Sequence, residues 1–118
     1  ARAVWDFAVD GGTVAAHATG VILPANALII RSYIYVVTQI VDAGAGTMAI
    51  SCEDANNIKT ATDLTGSAAG AFIEGAQTGA ISAATGAIAA ACDITFTIAT
   101  AAATAGKLIV FVEYVVGE

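Results

Sequence analysis

Residues Ala27 to Val41 read ALIIRSYIYVVTQIV, a run rich in Ile, Val, Tyr and Thr with a single charge, Arg31. These side chains suit a pleated, half-buried surface, and the run predicts one long β-strand. Its two sides differ in character. Leu28, Ile30, Ser32, Ile34, Val36, Thr38 and Ile40 fall on one side, which is small and apolar and is expected to face the core. Ile29, Arg31, Tyr33, Tyr35, Val37, Gln39 and Val41 fall on the other. That mixture of aromatic and polar groups suits a second packed surface, a subunit interface or a wet sheet face.

Moving outward, Asp42-Ala43-Gly44-Ala45-Gly46 predicts a hairpin loop, with Thr47 to Cys52 (TMAISC) returning antiparallel to the long strand and Met48, Ile50 and Cys52 on one face. Asp93 to Thr100 alternates, with Ile94, Phe96 and Ile98 inward and Thr95 and Thr97 outward. Lys107 to Val116 (KLIVFVEYVV) predicts a last strand that pairs back on it as a second hairpin. At the other end, Ala3 to Val9 (AVWDFAV) predicts a strand with Trp5, Phe7 and Val9 inward, closed by the Asp10-Gly11-Gly12 turn. Thr13 to Thr19 reads as a weaker strand, and Gly20 to Leu23 as a short apolar one before a Pro24/Asn26 turn. Glu53 to Asn57 reads as a polar loop, and Ile58 to Leu64 as a helical turn or short strand. Gly70 to Ala91 is low in complexity, with glycines interrupting its alanines, and reads as loops and short strands. Many strands, Gly-rich turns and no long helix imply an all-β fold, an antiparallel sandwich or barrel with a Gly/Ala-rich loop region. At 118 residues the expectation is a single domain spanning 1–118, in which residues 1–10 form an interaction arm or an edge strand.

Four Lys/Arg stand against ten Asp/Glu, a formal net charge of −6. Arg2, Arg31, Lys59 and Lys107 are scattered along the chain, so no nucleic-acid partner is expected. Gly11 to Ile30 is uncharged but broken by Gly-Gly, His17, Pro24 and Asn26, so no membrane segment is expected. Asp6 and Asp10 stand where the apolar core of a signal peptide would lie, so no leader is expected, and a start at Ala fits removal of an initiator Met. Cys52 and Cys92 lie in different segments; pairing is open, but a reducing cytoplasm favours two buried free thiols.

Catalytic chemistry is sparse, and no enzyme activity, metal or cofactor is expected. His17 has no Cys, Asp or Glu at ligand spacing. In Gly66-Ser67-Ala68-Ala69-Gly70 the serine follows the glycine directly, which is not a nucleophile elbow. Gly106-Lys107 lacks the Ser/Thr of a phosphate loop, and Ile58 stands where a Ca²⁺ loop following Glu53 would need glycine. Glu113 has no second carboxylate to set it up as an acid catalyst.

The run GVILPANALIIRSYIYVVTQIVDAGAGTMAIS, Gly20 to Ser51, together with TAGKLIVFVEYVVGE, Thr104 to Glu118, resembles small virion structural proteins of tailed bacteriophages. Those chains share a G-V-x-L-P-x-x-A-x-I strand entry, an x-x-I-S return strand and a T-A-G-K-L-x-V-x-V-E-Y strand near the C-terminus. The resemblance implies a β-sandwich or jelly-roll body and a capsid cement (decoration) protein on the outer surface of the virion, made in the host cytoplasm and often trimeric. Its partner would be the major capsid protein, which it would bridge and stabilise. A tail, neck or head-fibre component is the near competitor, and a glycan-binding adhesive sandwich is another. No catalytic residue is implied. The interface candidates are Trp5 and Phe7 on the N-terminal arm and Arg31, Tyr33, Tyr35 and Gln39 on the long strand; for Trp5, ordinary core packing is the alternative.

Overall fold

The computed structural model describes residues 1–52, 54–63, 67–75, 88 and 90–116. Eight strands are defined among them: β1 (Arg2–Asp6), β2 (Ala16–Leu23), β3 (Ala27–Asp42), β4 (Thr47–Cys52), β5 (Asp54–Thr62), β6 (Phe72–Gly75), β7 (Cys92–Ala99) and β8 (Ala103–Val116), with a helical turn, α1 (Phe7–Asp10), after the first. They build two four-stranded antiparallel sheets, ordered β1-β8-β3-β6 and β2-β7-β4-β5. First pairs with last, second with second-last, and so inward, which is the rolled-up connectivity of a jelly roll.

That connectivity corrects both expected hairpins. β3 does not pair with β4, nor β7 with β8; each of these neighbours in sequence lies in the opposite sheet. The Asp42–Gly46 loop therefore crosses between sheets. Asp42 fixes the crossing by accepting from the Gly44 N–H at 3.1 Å and the Gly46 N–H at 2.9 Å. β3 pairs instead with β8 over nearly its whole length, from Ala27 opposite Val116 to Asp42 opposite Ala103. The predicted polar loop is also corrected, since Asp54 to Asn57 belong to β5; Glu53 lies outside the described residues, as do 64–66 and most of the Gly/Ala-rich segment beyond β6.

Alternation places the core as read for β7, where Ile94, Phe96 and Ile98 are buried, and for β4, where Met48, Ile50 and Cys52 are buried. In β3 the phase shifts. Ile29 lies opposite Tyr114 and Arg31 opposite Glu113, so Ile30 is an extra residue, a β-bulge. Before it Ala27 and Ile29 face inward; after it Ser32, Ile34 and Val36 do. Leu28 and Ile30, expected in the core, are 40% and 46% exposed. A second irregularity between Val36 and Thr38 turns Thr38 out to solvent as well, and further slippage before Val41 returns Ile40 to the core.

β1 also departs from expectation. Ala3 and Trp5 are fully buried, but the strand ends at Asp6. The Asp6 side chain then caps the following turn by accepting from the Ala8 N–H at 3.0 Å. Phe7 and Val9 consequently leave the strand and are solvent-exposed instead of inward. Trp5 meets its polar need through Nε1, which donates to the Gly11 carbonyl at 3.1 Å. Its ring packs over Gly106, where a Cβ would lie 2.9 Å from the Ile40 Cα and 3.2 Å from the indole.

Two further devices tie strands together, one between the sheets and one within a sheet. Ser32, buried on β3, donates its hydroxyl to the Ile58 carbonyl on β5 at 3.3 Å. Cys52 and Cys92 are joined as a disulfide with a Cα separation of 5.6 Å, so the expected free thiols are corrected. β4 and β7 are neighbours in one sheet, and their register brings the two cysteines, 40 residues apart in sequence, within bonding reach.

Candidate functional site

The outer face of the β1-β8-β3-β6 sheet concentrates the exposed apolar groups. Leu28, Ile30, Tyr35, Val41, Phe72, Phe111 and Val115, all on its strands, are exposed large hydrophobics. On the other sheet the outward rows carry small groups, Ala16 beside Thr97 and then Ala18, Thr95 and Ser51, with Ile22 on β2 the one exposed large hydrophobic among the described residues of its strands. A strand alternates sides at every residue, so a buried position fixes its neighbours outward. Inward Ala3, Val110, Ile34 and Ile73 thus set the outward rows on either side of them.

Two of those rows cross all four strands. One runs Arg2, Phe111, Tyr33, Glu74; the next runs Val4, Ile109, Tyr35, Phe72. A third, on the two central strands, sets Glu113 beside Arg31. Tyr33 and Phe72 stack at 5.2 Å between ring centroids with an interplanar angle of 36°. Arg31 Nη1 donates to the Tyr33 hydroxyl at 2.8 Å, and its guanidinium carbon sits 6.0 Å from the Tyr33 ring centre. The hydrogen bond to the Tyr33 hydroxyl, with the nearby Glu113 carboxylate, raises the Arg31 pKa above its ordinary value, and the guanidinium is a cation in any case. A shallow groove of about 450 Å³ opens beside Tyr33, Phe111 and Glu113 and reaches Ala1. At the far end of the sheet Lys107 stands 3.7 Å from Asp6.

Of the residues singled out in the sequence, Arg31, Tyr33 and Tyr35 belong to this face. Gln39 is exposed on the same strand but lies past the second bulge, off the aromatic rows. Phe7 is exposed in the helical turn, off the strand. Trp5 faces the opposite way and is core. Sequence reading missed Phe111 and Glu113, although the alternation of KLIVFVEYVV puts both opposite Leu108, Val110 and Val112. It also missed Phe72, because the short β6 lies in a Gly/Ala-rich segment without a clear period.

The cavity at the loop end of the sandwich, lined by Ile40, Met48, Ile98 and Ala103 among others, has about 20 Å³, the room of a single water. Among the described residues no three His, Cys, Asp or Glu side chains cluster as metal ligands, and no helix is long and apolar enough to cross a membrane. His17 Nε2 is within 2.8 Å of the Thr13 carbonyl, a local contact.

No protein-family model matches the sequence, and no curated protein matches it. Among solved structures, the chain is similar to one in the capsid of Ralstonia phage GP4, with a TM-score of 0.63 and 18% sequence identity over 99% of this chain and 84% of that one. The shared fold spans nearly all of this chain.

Proposed function

We propose that this chain is a non-enzymatic virion structural protein, a capsid cement subunit that sits on the outer shell and stabilises it by bridging major capsid subunits. The observation that carries the reading is the aromatic and charged ladder on one sheet face, a surface built to meet protein. Exposed apolar area of this extent, with Tyr, Phe and Arg at its centre and charges at its margins, has the composition of interface hot spots. Its fold likeness to a chain in the capsid of Ralstonia phage GP4 supports a place in a virion.

A tail, neck or head-fibre position is the competing reading. Phe72, 60% exposed beside Tyr33, is the feature that favours a glycan-binding variant of it, because sugar rings stack on such aromatics.

Capsids lacking the chain decide between them. Purified chain added to such capsids is expected to co-sediment to saturation and to raise the temperature at which the shells open. Binding to isolated tails but not to shells, or binding to a glycan array with no binding to shells, overturns the cement reading.

A further inference from the structure

The geometry points to a second copy of this chain as the occupant of the outer β1-β8-β3-β6 face, docked face to face about a two-fold axis that runs along the β8–β3 seam. The ladder that carries the virion reading is also self-complementary, and its docking on a second copy is read without any capsid present. The four-strand row carries a cation at one edge, two aromatics in the middle and an anion at the other edge: Arg2, Phe111, Tyr33, Glu74. A two-fold in the interface plane, parallel to the strands, reverses the order of strands and keeps each row in place. It sets Arg2 of each copy over Glu74 of the other, and Phe111 over Tyr33. In the next row Val4 lands over Phe72, and Ile109 over Tyr35. In the third, Arg31 lands over Glu113, and because both already lie side by side on each copy, the contact becomes a square of four alternating charges. At the end of the sheet Leu28 lands over Val115, both exposed.

Every charge in these three rows gains an opposite partner, and no two like charges face each other. Beyond them, Lys107 lands over Thr38. Lys59, from the other sheet, reaches the Glu74 carbonyl at 3.5 Å, at the edge of the contact. A two-fold across the strands is poorer, because it stacks β1 on β1 and β6 on β6, and Arg2 never meets Glu74. Facing sheets keep their strands within about 30° of each other, which preserves the rows near the axis. With β3 and β8 spanning up to 42 Å, β1 and β6 of five and four residues covering about 17 and 14 Å, and strands ~4.8 Å apart, the face offers on the order of 550 Å² per copy, about 1,100 Å² in total, just past the size a specific interface needs. An isologous patch of this kind closes as a dimer.

Arg2 and Glu74 make the test sharp. They lie on opposite edges of one sheet, roughly 14 Å apart by strand spacing, too far to pair within a chain. Sedimentation velocity over a concentration series, on the wild type, R2E and E74R, reads the contact. The wild type is expected to be a dimer. Each variant alone sets two like-charge pairs across the interface and is expected to associate at least about tenfold more weakly. An equimolar mixture of the two variants restores both opposite pairs, and is expected to recover wild-type association as a heterodimer. Recovery on mixing also shows that both variants are folded. A wild type that stays monomeric or forms a trimer overturns the proposal, as do variants that associate like the wild type or a mixture that gains nothing.

Discussion

Tyr33 on β3 lies directly across from Phe111 on β8, and both point away from a core that their neighbours Ile34 and Val110 fill. Stability and association are thereby assigned to opposite sides of the same two strands, and they respond to different substitutions.

Phe72→Ala removes an exposed ring that stacks on Tyr33. The expected loss in folding stability is about 1 kcal/mol, the worth of an aromatic pair. The loss in protein association is expected to be larger, at least about tenfold in affinity. Urea titration and sedimentation on the same preparation separate the two effects. A large stability loss with unchanged association would place Phe72 in the fold instead of the interface.

Trp5→Ala is expected to do the reverse. The indole is fully buried, and its removal should cost about 3–5 kcal/mol in urea unfolding. Gly106→Ala acts on the same contact: a methyl there meets the Ile40 backbone and the indole at a φ of +135°, and costs of order 1–3 kcal/mol. A Trp5→Ala variant as stable as wild type would contradict the core assignment.

The Cys52–Cys92 bond closes a separation of 40 residues, which constrains the unfolded chain by about 4 kcal/mol in the chain-entropy model. The Cys52→Ser/Cys92→Ser double variant should lose stability of that order. A thiol titration of the wild-type protein, unfolded without reductant, should find no free thiol. Two reactive thiols per chain would contradict the pairing.

Ser32→Ala removes the hydroxyl that crosses from β3 to the Ile58 carbonyl. The expected cost is about 1 kcal/mol, with association unaffected because Ser32 lies inside. Urea unfolding and sedimentation of this variant check both statements.

Much of this was legible from residue types and period. Ile94, Phe96 and Ile98 read as core and are core; Arg31, Tyr33 and Tyr35 read as a second surface and share one. What the local pattern could not carry was pairing at a distance. A Gly-rich loop between two strands looks like a hairpin whether it returns within a sheet or crosses to the other, so in sequence β3 and β4 look like partners. A bulge is one extra residue with no composition of its own, and the one at Ile30 reversed the assignments of Leu28 and Ile29. Phe7 followed the strand period of Trp5 on paper, while the Asp6 cap ended the strand before it. The disulfide depends on the register of β4 against β7, which no spacing along the chain reveals.

Cryo-electron microscopy of the phage particle proposed to carry this jelly roll reads directly whether it is a protein-binding subunit on the outside of the shell. β-Sandwich density is expected on the outer capsid surface, contacting more than one major capsid subunit. Density confined to the tail, or no density for this chain on the particle, would contradict it.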